Sequence, residues 1–216
     1  MKVKVAADIL GANDRIAEEN RRLFRESGVF VINLMSSPGA GKTTLLEKTL
    51  TALRDEFKMA VIEGDVATTA DAERIEKTGA PVVQINTGSM CHLDGTMVRG
   101  ALDEFDLGAL DLLIVENVGN LVCPAEFNVG EDCKVMLLSV PEGDDKPLKY
   151  PLMWHESSAL IINKTDLIPY TNFDLEKAKK DSLSINPRLD IFPLSCRTGE
   201  GLDGWYGWLR SNIQAR

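Results

Sequence analysis

The 216-residue sequence contains no apolar run long enough to span a membrane. Its first eight residues are basic, but they lack the long apolar segment that a secretion signal needs. Basic clusters are scarce as well, since the net charge is -9 and the runs at residues 21–22 and 177–180 are typical of solvated helix faces. We therefore expect a cytoplasmic protein that binds neither a membrane nor nucleic acid.

Paired Cys-x-x-Cys spacing is also absent, although the sequence has four cysteines and two histidines. Without a secretion signal, cysteines are more often free, catalytic or metal-binding than joined in disulfides. Cys91, His92 and Cys123 together offer two thiolates and an imidazole, which suit Zn²⁺ or Ni²⁺ and leave a fourth position for water or a second copy of the chain. Spacing alone leaves open that the cysteines are small buried hydrophobic residues and that His92 is a surface or capping residue.

The apolar residues, 44% of the chain, are arranged as expected for one α/β domain. We predict strands at residues 29–35, 58–62, 81–85, 111–115, 135–140, 159–163 and 191–194, and helices at residues 8–27, 45–50, 70–77, 97–105, 175–183 and 202–209, with a long loop between residues 119 and 133. This alternation predicts a mostly parallel sheet flanked by helices on both faces. Residues 1–28 would form a helical extension, which either packs on the domain or contacts a partner.

Residues 36–43 read Ser-Ser-Pro-Gly-Ala-Gly-Lys-Thr and lie between a predicted strand and a predicted helix, as in a phosphate-binding loop. Glycines let backbone N–H groups approach phosphate oxygens, and the helix N-terminus adds partial positive charge. The predicted nucleotide-binding residues are Pro38, Gly39, Ala40, Gly41, Lys42, Thr43 and Thr44, with Lys42 on the β- and γ-phosphates and the Thr43 hydroxyl on Mg²⁺. The general pattern has Gly where this chain has Ser36, and the alternative is a Gly-Pro turn before an ordinary helix.

Guanine specificity is predicted by an Asn-Lys-Thr-Asp sequence that ends at Asp166. Its carboxylate can accept from N1–H and the 2-amino group of guanine, whereas adenine would leave the carboxylate unpaired. Asn163 would help to hold the base edge, and the Lys164 stem would lie against the base face. The loop at Ser195 and Cys196 resembles the Ser-Ala-Lys loop of GTPases, which implies that it presents a backbone N–H to guanine O6. Taken alone, the Asn-Lys-Thr-Asp segment is also compatible with a polar turn.

The hydrolytic groups are predicted at two further strand ends. Glu116 begins a Glu-x-x-Gly sequence, and we expect its carboxylate to hold Mg²⁺ directly or through water while the Gly119 N–H meets the γ-phosphate. Asp65 is the second carboxylate directed at the metal and the attacking water. With Lys42, these residues predict in-line attack of water on the γ-phosphate. No water-orienting glutamine and no arginine finger can be assigned, so slow intrinsic hydrolysis is expected.

Together these segments are similar to the hydrogenase nickel-incorporation GTPases, the HypB family. The resemblance is carried by the phosphate loop and by Gly-Asp-Val-Ala-Thr-Thr, Cys-His-Leu-Asp, Glu-Asn-Val-Gly-Asn-Leu-Val-Cys-Pro and Asn-Lys-Thr-Asp. It implies a P-loop GTPase domain at residues 29–216 of the signal-recognition and metal-insertion class, whose members typically work as nucleotide-dependent dimers. It also implies GTP or GDP, Mg²⁺, and Ni²⁺ or Zn²⁺ held by Cys91, His92 and Cys123. The implied partners are a second copy of the chain, a nickel-delivery accessory protein and a hydrogenase large-subunit precursor.

Three alternatives remain open. A urease accessory GTPase would be expected to carry Cys-Pro-His in place of Cys-His-Leu. A chaperone GTPase for a cobalamin enzyme would not need these cysteines. A metal carrier with a vestigial nucleotide site is disfavoured by the intact Lys42, Thr43 and Asp166.

Some members of the family carry an N-terminal cysteine cluster or a His-rich tract, and we expect neither because the first third of the sequence has no cysteine and the chain has only two histidines. Cys133, Cys196 and His155 are predicted to be structural or surface residues. Cys123 lies on the same segment as Glu116, so we expect GTP to favour the dimer and a filled metal site, and hydrolysis to weaken both.

Overall fold

The computed structural model describes residues 5–66 and 68–216, with side chains from residue 10 onward. Its strands coincide with the buried apolar runs of the sequence. The strands of the described residues are β1 (Phe30–Ser36), β2 (Met59–Asp65), β3 (Val82–Asn86), β4 (Leu112–Glu116), β5 (Cys133–Ser139), β6 (Ser157–Asn163) and β7 (Asp190–Pro193). They form one sheet in the order β3-β2-β4-β1-β5-β6-β7, and all of its paired neighbours are parallel. The predicted α/β class with a parallel sheet is confirmed.

The helices of the described residues cover both faces of this sheet. They are α1 (Val5–Ser27), α2 (Lys42–Leu53), α3 (Ala70–Glu76), α4 (Gly95–Ala101), α5 (Cys123–Glu126), α6 (Lys146–Lys149), α7 (Pro151–Glu156), α8 (Leu175–Ile185) and α9 (Leu202–Gln214). In β1, Phe30, Ile32 and Leu34 pack with α2, α3 and α9. Val31 packs with α1 and α4, and Met35 with α7 and α8. Because helices cover both faces of the sheet, the expected place for a ligand is at the carboxyl ends of the strands.

Strand β2 runs on to Asp65, beyond its predicted end at residue 62. Glu63 is paired in register with Gln84 of β3 and with Glu116 of β4, so neighbours on both sides extend the strand. The prediction ended early because a carboxylate and Gly64 interrupt the apolar run. Glu63 therefore lies inside the sheet and not in a loop.

The predicted long loop between residues 119 and 133 is wrong in one respect, since it contains α5. Helices α6 and α7 were not predicted either. All three are too short to show a 3.6-residue period, and each has a proline in its first positions, where proline is compatible with a helix. The helix predicted at residues 97–105 instead ends at Ala101, and a 3₁₀ turn follows at Leu102–Glu104.

Helix α1 packs on the domain. Ala17 and Phe24 are buried, and Phe24 joins the same core layer as α4. The Nδ2 atom of buried Asn20 donates to the carbonyls of Gly95 at 2.8 Å and Val129 at 3.0 Å. One side chain therefore fastens the helix to the start of α4 and to the loop before β5.

Parts of the N-terminal prediction lie outside the described residues, namely residues 1–4 and the side chain of Ile9. The domain boundary at residue 28 stays a prediction. Within residues 5–66 and 68–216, no helix combines the length and apolar character needed to cross a membrane.

Candidate functional site

The phosphate loop lies at the carboxyl end of β1, and two glycines shape its backbone. Gly39 and Gly41 have φ angles of 74° and 105°, which L side chains rarely adopt. A Cβ atom on Gly41 would also lie 2.5 Å from the Nδ2 of Asn163. That Nδ2 donates to the Ala40 carbonyl at 3.0 Å. The loop is thereby fastened to the end of β6, and the contact leaves no room for a side chain at Gly41.

Ser36, which replaces the glycine of the general pattern, is buried at the start of this loop. Its Oγ accepts from the Lys42 ammonium at 3.1 Å and donates to the Ser37 carbonyl at 2.6 Å. The Ser37 hydroxyl in turn donates to the Glu142 carboxylate. The serine therefore orients the lysine across the loop.

Glu116 is the buried carboxylate nearest to the helix that follows the phosphate loop. The Thr43 hydroxyl donates to its Oε1 at 3.0 Å, and its Oε2 has no hydrogen-bond partner among the described residues. Burial raises the pKa of Glu116 to about 7, against the opposing effects of the Lys42 charge and the Thr43 hydroxyl. A hydroxyl and a buried carboxylate with an unused oxygen fit the oxygen donors that Mg²⁺ prefers.

Glu63 is a second buried carboxylate, and sequence reasoning missed it. It lies opposite Glu116 across β2 and β4, and its Oε2 also has no hydrogen-bond partner among the described residues. Burial, followed by the negative charges of Glu116 and Asp65, raises the pKa of Glu63 to about 8. A carboxylate beside a predicted strand end was the available signal, but the predicted strand stopped at residue 62, just before Glu63.

These groups line one cavity of about 280 Å³. Its charged lining comes from Lys42, Glu63, Asp65, Asp71 and Glu116. Gly119 closes one side, where an added Cβ would lie 2.9 Å from the backbone of Pro38, so this close approach requires glycine. The Asp65 carboxylate accepts from the N–H groups of Val66 and Thr68 at 2.7 and 2.8 Å, and so shapes the turn after β2.

The residues predicted to recognise the base lie at the ends of β6 and β7. The Ser195 hydroxyl donates to Asp166 at 2.6 Å. Asn163 Oδ1 accepts from the backbone N–H groups of Lys164 at 2.7 Å and Cys196 at 3.2 Å. Lys164 has a positive φ of 63°, and its Nζ donates to the Gly39 carbonyl at 2.7 Å. The Cys196 N–H predicted to meet guanine O6 is thus bonded to Asn163 here, and its role towards guanine stays a prediction.

Cys91, His92 and Cys123 lie together, with ligand atoms within 4.8 Å of one another. The two sulfurs are 3.0 Å apart, and Cys91 Sγ is 3.8 Å from His92 Nδ1. Cys123 begins α5, and Cys91 lies in the loop before α4. Cys91 is exposed whereas His92 is buried against Phe127, with ring centroids 3.9 Å apart. The cluster is therefore open on one side.

The donor chemistry of this cluster fits a soft or borderline divalent cation. Burial lowers the pKa of His92, which favours the neutral imidazole that binds metals, and its Nε2 has no hydrogen-bond partner among the described residues. The hydrogen bond shared by the two thiols, together with burial, raises the pKa of Cys123. Metal binding at these thiols would release protons, because the thiolate is the ligand.

The remaining cysteines and the second histidine lie apart from this cluster. Burial raises the pKa of Cys133 to about 12 and that of Cys196 to about 11, which keeps both thiols protonated. His155 is exposed and pairs with its neighbour Glu156 at 3.0 Å. None of the three belongs to a group of three or more potential metal ligands within the described part of the chain.

Sequence reasoning also missed Arg74, which joins α3 to the helix after the phosphate loop. Its guanidinium donates to Thr44 Oγ1 at 2.9 Å and to both carboxylate oxygens of Glu47, at 3.2 and 2.6 Å. It also donates to Asp71, which lines the cavity, at 3.1 Å. The signal was an arginine shortly after Asp65, but only the fold shows which residues it reaches.

Known proteins match most of this chain. A family model described as "CobW/HypB/UreG, nucleotide-binding domain" matches residues 30–193. The hydrogenase maturation factor HypB of Escherichia coli strain K12 is 50% identical over 209 residues, which cover 97% of this chain and 72% of that protein.

Solved structures give the same result. The crystal structure of HypB from Helicobacter pylori in complex with nickel is similar at a TM-score of 0.89 and 42% identity, covering 94% of this chain and 96% of that one. The signal recognition particle 54 kDa protein of Aeropyrum pernix, solved with GDP, has a TM-score of 0.58 at 14% identity over 86% of this chain and 49% of that one, and shares the fold alone. The chain belongs to the HypB family of hydrogenase maturation factors, within the CobW/HypB/UreG group of nucleotide-binding domains.

Proposed function

We propose that this chain is a GTP-hydrolysing metallochaperone that binds nickel, or zinc, and assists nickel insertion into a [NiFe]-hydrogenase precursor. The observation that carries the proposal is the cluster of Cys91, His92 and Cys123 on a fold that also has a phosphate loop. One ligand of that cluster lies on the segment that begins at Glu116, so the two sites share a piece of backbone. Family membership gives the coarser function, and the residue roles below are proposals.

Nucleotide binding is assigned to the predicted loops. The phosphate loop at residues 38–44 would hold the phosphates, with Lys42 leaving Ser36 to reach the γ-phosphate. Asp166 would accept from the guanine edge, while its bond from the Ser195 hydroxyl fixes the carboxylate orientation. Lys164 would cover the base face, since its stem already crosses the phosphate loop to Gly39.

Hydrolysis is assigned to the cavity beside the phosphate loop. Mg²⁺, held by Thr43, Asp65 and Glu116, would neutralise phosphate charge when bound. Lys42 would stabilise charge on the γ-phosphate, and the Gly119 N–H would donate to it. No glutamine that would orient the attacking water is identified among the described residues, which supports slow intrinsic turnover.

Metal binding is proposed to depend on the nucleotide. Loss of the γ-phosphate would release the segment at residues 116–123, and with it one thiolate of the metal cluster. A GTP-promoted homodimer would supply a further ligand to the open side of the three-donor site. The proposed partners are a nickel-delivery accessory protein and the hydrogenase large-subunit precursor, and the proposed location is the cytoplasm.

The test measures Ni²⁺ bound per chain and the dimer fraction with GDP and with a non-hydrolysable GTP analogue. We expect both quantities to rise with the analogue, and Cys123→Ala to lose most of the bound nickel. The matched control is Cys133→Ala, which removes a thiol from outside the cluster and should retain nickel. Equal values with both nucleotides would contradict the coupling.

Turnover of GTP by the same preparations tests the enzymatic part. A slow rate, well below about 1 s⁻¹, is expected for the isolated protein. Nickel binding without any GTP hydrolysis would instead support a metal carrier with a vestigial nucleotide site.

A further inference from the structure

Four buried polar side chains lie behind the metal cluster and have no role in the assignments above. Asn33, Asn117, Glu131 and Lys134 are each 0–5% exposed. Buried amides and charges cost free energy unless they are hydrogen-bonded, so a connected set of them is strongly constrained in geometry. We refer to these four residues as the buried polar cluster.

One end of the buried polar cluster holds the segment that carries Cys91 and His92. The Oδ1 of Asn117 accepts from the backbone N–H of Leu93 at 2.9 Å and from that of Val118 at 3.0 Å. Leu93 directly follows His92 and packs where a Cβ on Gly64 would lie 2.7 Å from its Cγ. The Asn117 side chain thus ties the first two metal-binding candidates to the loop after β4.

The other end of the buried polar cluster holds the helix that carries Cys123. The Nδ2 of Asn117 donates to Asn33 Oδ1 at 3.1 Å, and the Nδ2 of Asn33 donates to Glu131 Oε1 at 3.3 Å. Lys134 lies 3.7 Å from Glu131 and donates to the carbonyl of Ala125 in α5 at 2.9 Å. Continuous polar contacts therefore join the two backbone segments that supply the three donors.

The same cluster touches the nucleotide end of the molecule. Asn117 follows Glu116, the carboxylate bonded to Thr43, and its backbone N–H donates to the Leu34 carbonyl of β1 at 2.9 Å. Asn120 continues this contact by donating to the Ser36 carbonyl at 2.7 Å. A shift of the segment after Glu116 would therefore move the Asn117 amide and, with it, the anchor of Leu93.

We propose that the buried polar cluster is a positioning device that sets the separation of Cys91 and His92 from Cys123, and that Asn117 makes this separation depend on the nucleotide. This inference rests on the proposed metal function of those three residues. Apolar side chains of similar volume would fill the same space at comparable stability, so the polar contacts serve to fix geometry. Outer contacts of this kind commonly change metal affinity by a factor of 10 to 100.

The experiment uses the full-length protein with Ni²⁺ as the probe and compares two variants with the wild type. Lys134→Met removes the bond to Ala125, and Asn117→Ala removes the bond to Leu93. Asn186→Ala is the matched control, because that amide also caps backbone carbonyls, of Trp154 at 3.1 Å and Ser157 at 2.8 Å, at the far end of the sheet.

Two readouts are taken from each protein. Nickel affinity is measured from the thiolate-to-nickel absorbance with GDP and with the GTP analogue. The rate of cross-linking between Cys91 and Cys123 is measured in metal-free protein with diamide, which takes two electrons and two protons from the thiols as the disulfide forms. The second readout reports the separation of the sulfurs without any metal.

For Lys134→Met we expect nickel affinity to fall about tenfold and cross-linking to slow by a similar factor, with GTP-analogue affinity little changed. For Asn117→Ala we expect the difference in nickel affinity between the two nucleotides to disappear. The control should match the wild type within about twofold. If Lys134→Met does not fold, Glu131→Gln keeps the side-chain size and weakens the same connection, so the test still applies.

Cross-linking and nickel affinity within about twofold of the wild type in the folded variants would overturn the inference. If the wild type binds no nickel but the cross-linking rate responds to the variants, the positioning role stands and the proposed metal function fails. If nickel binding depends on nucleotide equally in the wild type and both variants, the proposed function stands and the positioning role fails.

Discussion

The base-recognition end of the cleft and its phosphate end differ in how their buried polar groups are paired. At the base end, Asp166 accepts from Ser195, and Asn163 bonds three backbone groups, one from each of three loops. At the phosphate end, Glu63 and Glu116 each have one carboxylate oxygen without a hydrogen-bond partner among the described residues. The first region is held in place by its own contacts, whereas the second has two carboxyls whose ionisation is costly.

This difference indicates how the two ends use free energy. A pre-arranged base pocket spends little on ordering when guanine binds, so it favours specificity. Buried carboxyls hold a proton unless a cation lies close enough to stabilise their charged form, so this end favours cation-dependent chemistry. The following predictions test that contrast, from the largest expected effect to the smallest.

The largest effect is expected for Asp166→Asn, which should weaken guanine binding at the base end. Two charge-assisted hydrogen bonds to guanine would be lost, at about 1.5–3 kcal/mol each, so GTP affinity should fall at least about 100-fold. Xanthosine triphosphate should gain affinity, because its 2-oxo group can accept from the new amide. Titration with a fluorescent analogue of each nucleotide measures both effects.

The matched control for that experiment is Asp55→Asn, which replaces an exposed carboxylate and should leave GTP affinity unchanged. Unaltered preference for GTP over xanthosine triphosphate in the Asp166 variant would remove that residue from the base pocket.

At the phosphate end, Glu116→Gln should separate chemistry from binding. Removing the charge of the proposed magnesium ligand should lower the single-turnover rate of GTP hydrolysis about 100-fold. GTP affinity measured with a magnesium chelator should change little, since the base end is intact. The control is Glu104→Gln, which changes a carboxylate on the surface. If Glu116→Gln hydrolysed GTP within about threefold of the wild-type rate, the assignment of Glu116 would be contradicted.

Ionising the buried Glu63 carboxyl costs free energy, so the stability of the folded protein should depend on pH. The pKa of Glu63 is raised from its usual 4.5 to about 8 in the folded chain, so the folded state binds the proton more tightly. The protonated Glu63 side chain therefore contributes most to the stability of the folded state below pH 4.5, and this contribution is lost as the pH rises through about 8. Glu63→Gln should flatten the fall in Tm of the metal-free and nucleotide-free protein over this range.

At pH 8 this variant should exceed the wild type by about 1 kcal/mol, or about 2–4 °C, because solvent in the cavity screens part of the charge. Thermal melts at several pH values measure it, with the exposed Glu176→Gln as control. Parallel pH curves for the Glu63 variant and the wild type would count against burial of that carboxyl.

The smallest effect is expected for Ser36→Ala. The variant removes the hydroxyl that accepts from Lys42, a contact of about 1 kcal/mol, so Tm without nucleotide should fall by about 2–4 °C. GTP affinity should change less than about fivefold, because the lysine leaves this hydroxyl on binding phosphate. Ser184→Ala, which removes an exposed hydroxyl on α8, is the control, and a large loss of GTP affinity with unchanged Tm would reverse the interpretation.

Much of the fold was predictable because each strand of the described sheet coincides with an apolar run, and parallel strands need such runs on both faces. The glycine loop and the strand ends then brought the predicted nucleotide residues to one edge. The failures occur where function places a polar group inside an element. Glu63 and Gly64 made β2 appear to end early, and Cys123 begins a helix too short to have a period.

The buried polar cluster was not predictable from spacing. Asn33 lies within a strand, and Lys134 is the second residue of β5, although lysine is ordinarily solvent-exposed. Their burial depends on the sheet order, which places β1 between β4 and β5 and sets Asn33 in register with Lys134. Likewise, Asn117 can bond to Leu93 only because β4 and β3, which precedes the loop at residues 87–94, end at the same edge of the sheet.

The docking of α1 has a practical consequence for shortening this protein. Asn20 donates to Gly95 at the start of α4 and to Val129 in the loop before β5, and Phe24 packs in the same core layer as Val129. A truncated form starting at Phe30 would expose that apolar layer and release the backbone on both sides, so chymotrypsin, which cleaves after large apolar residues, should then cut within residues 87–94 and 127–132. The smallest piece that resists digestion therefore has to retain this helix, even though no candidate catalytic group lies on it.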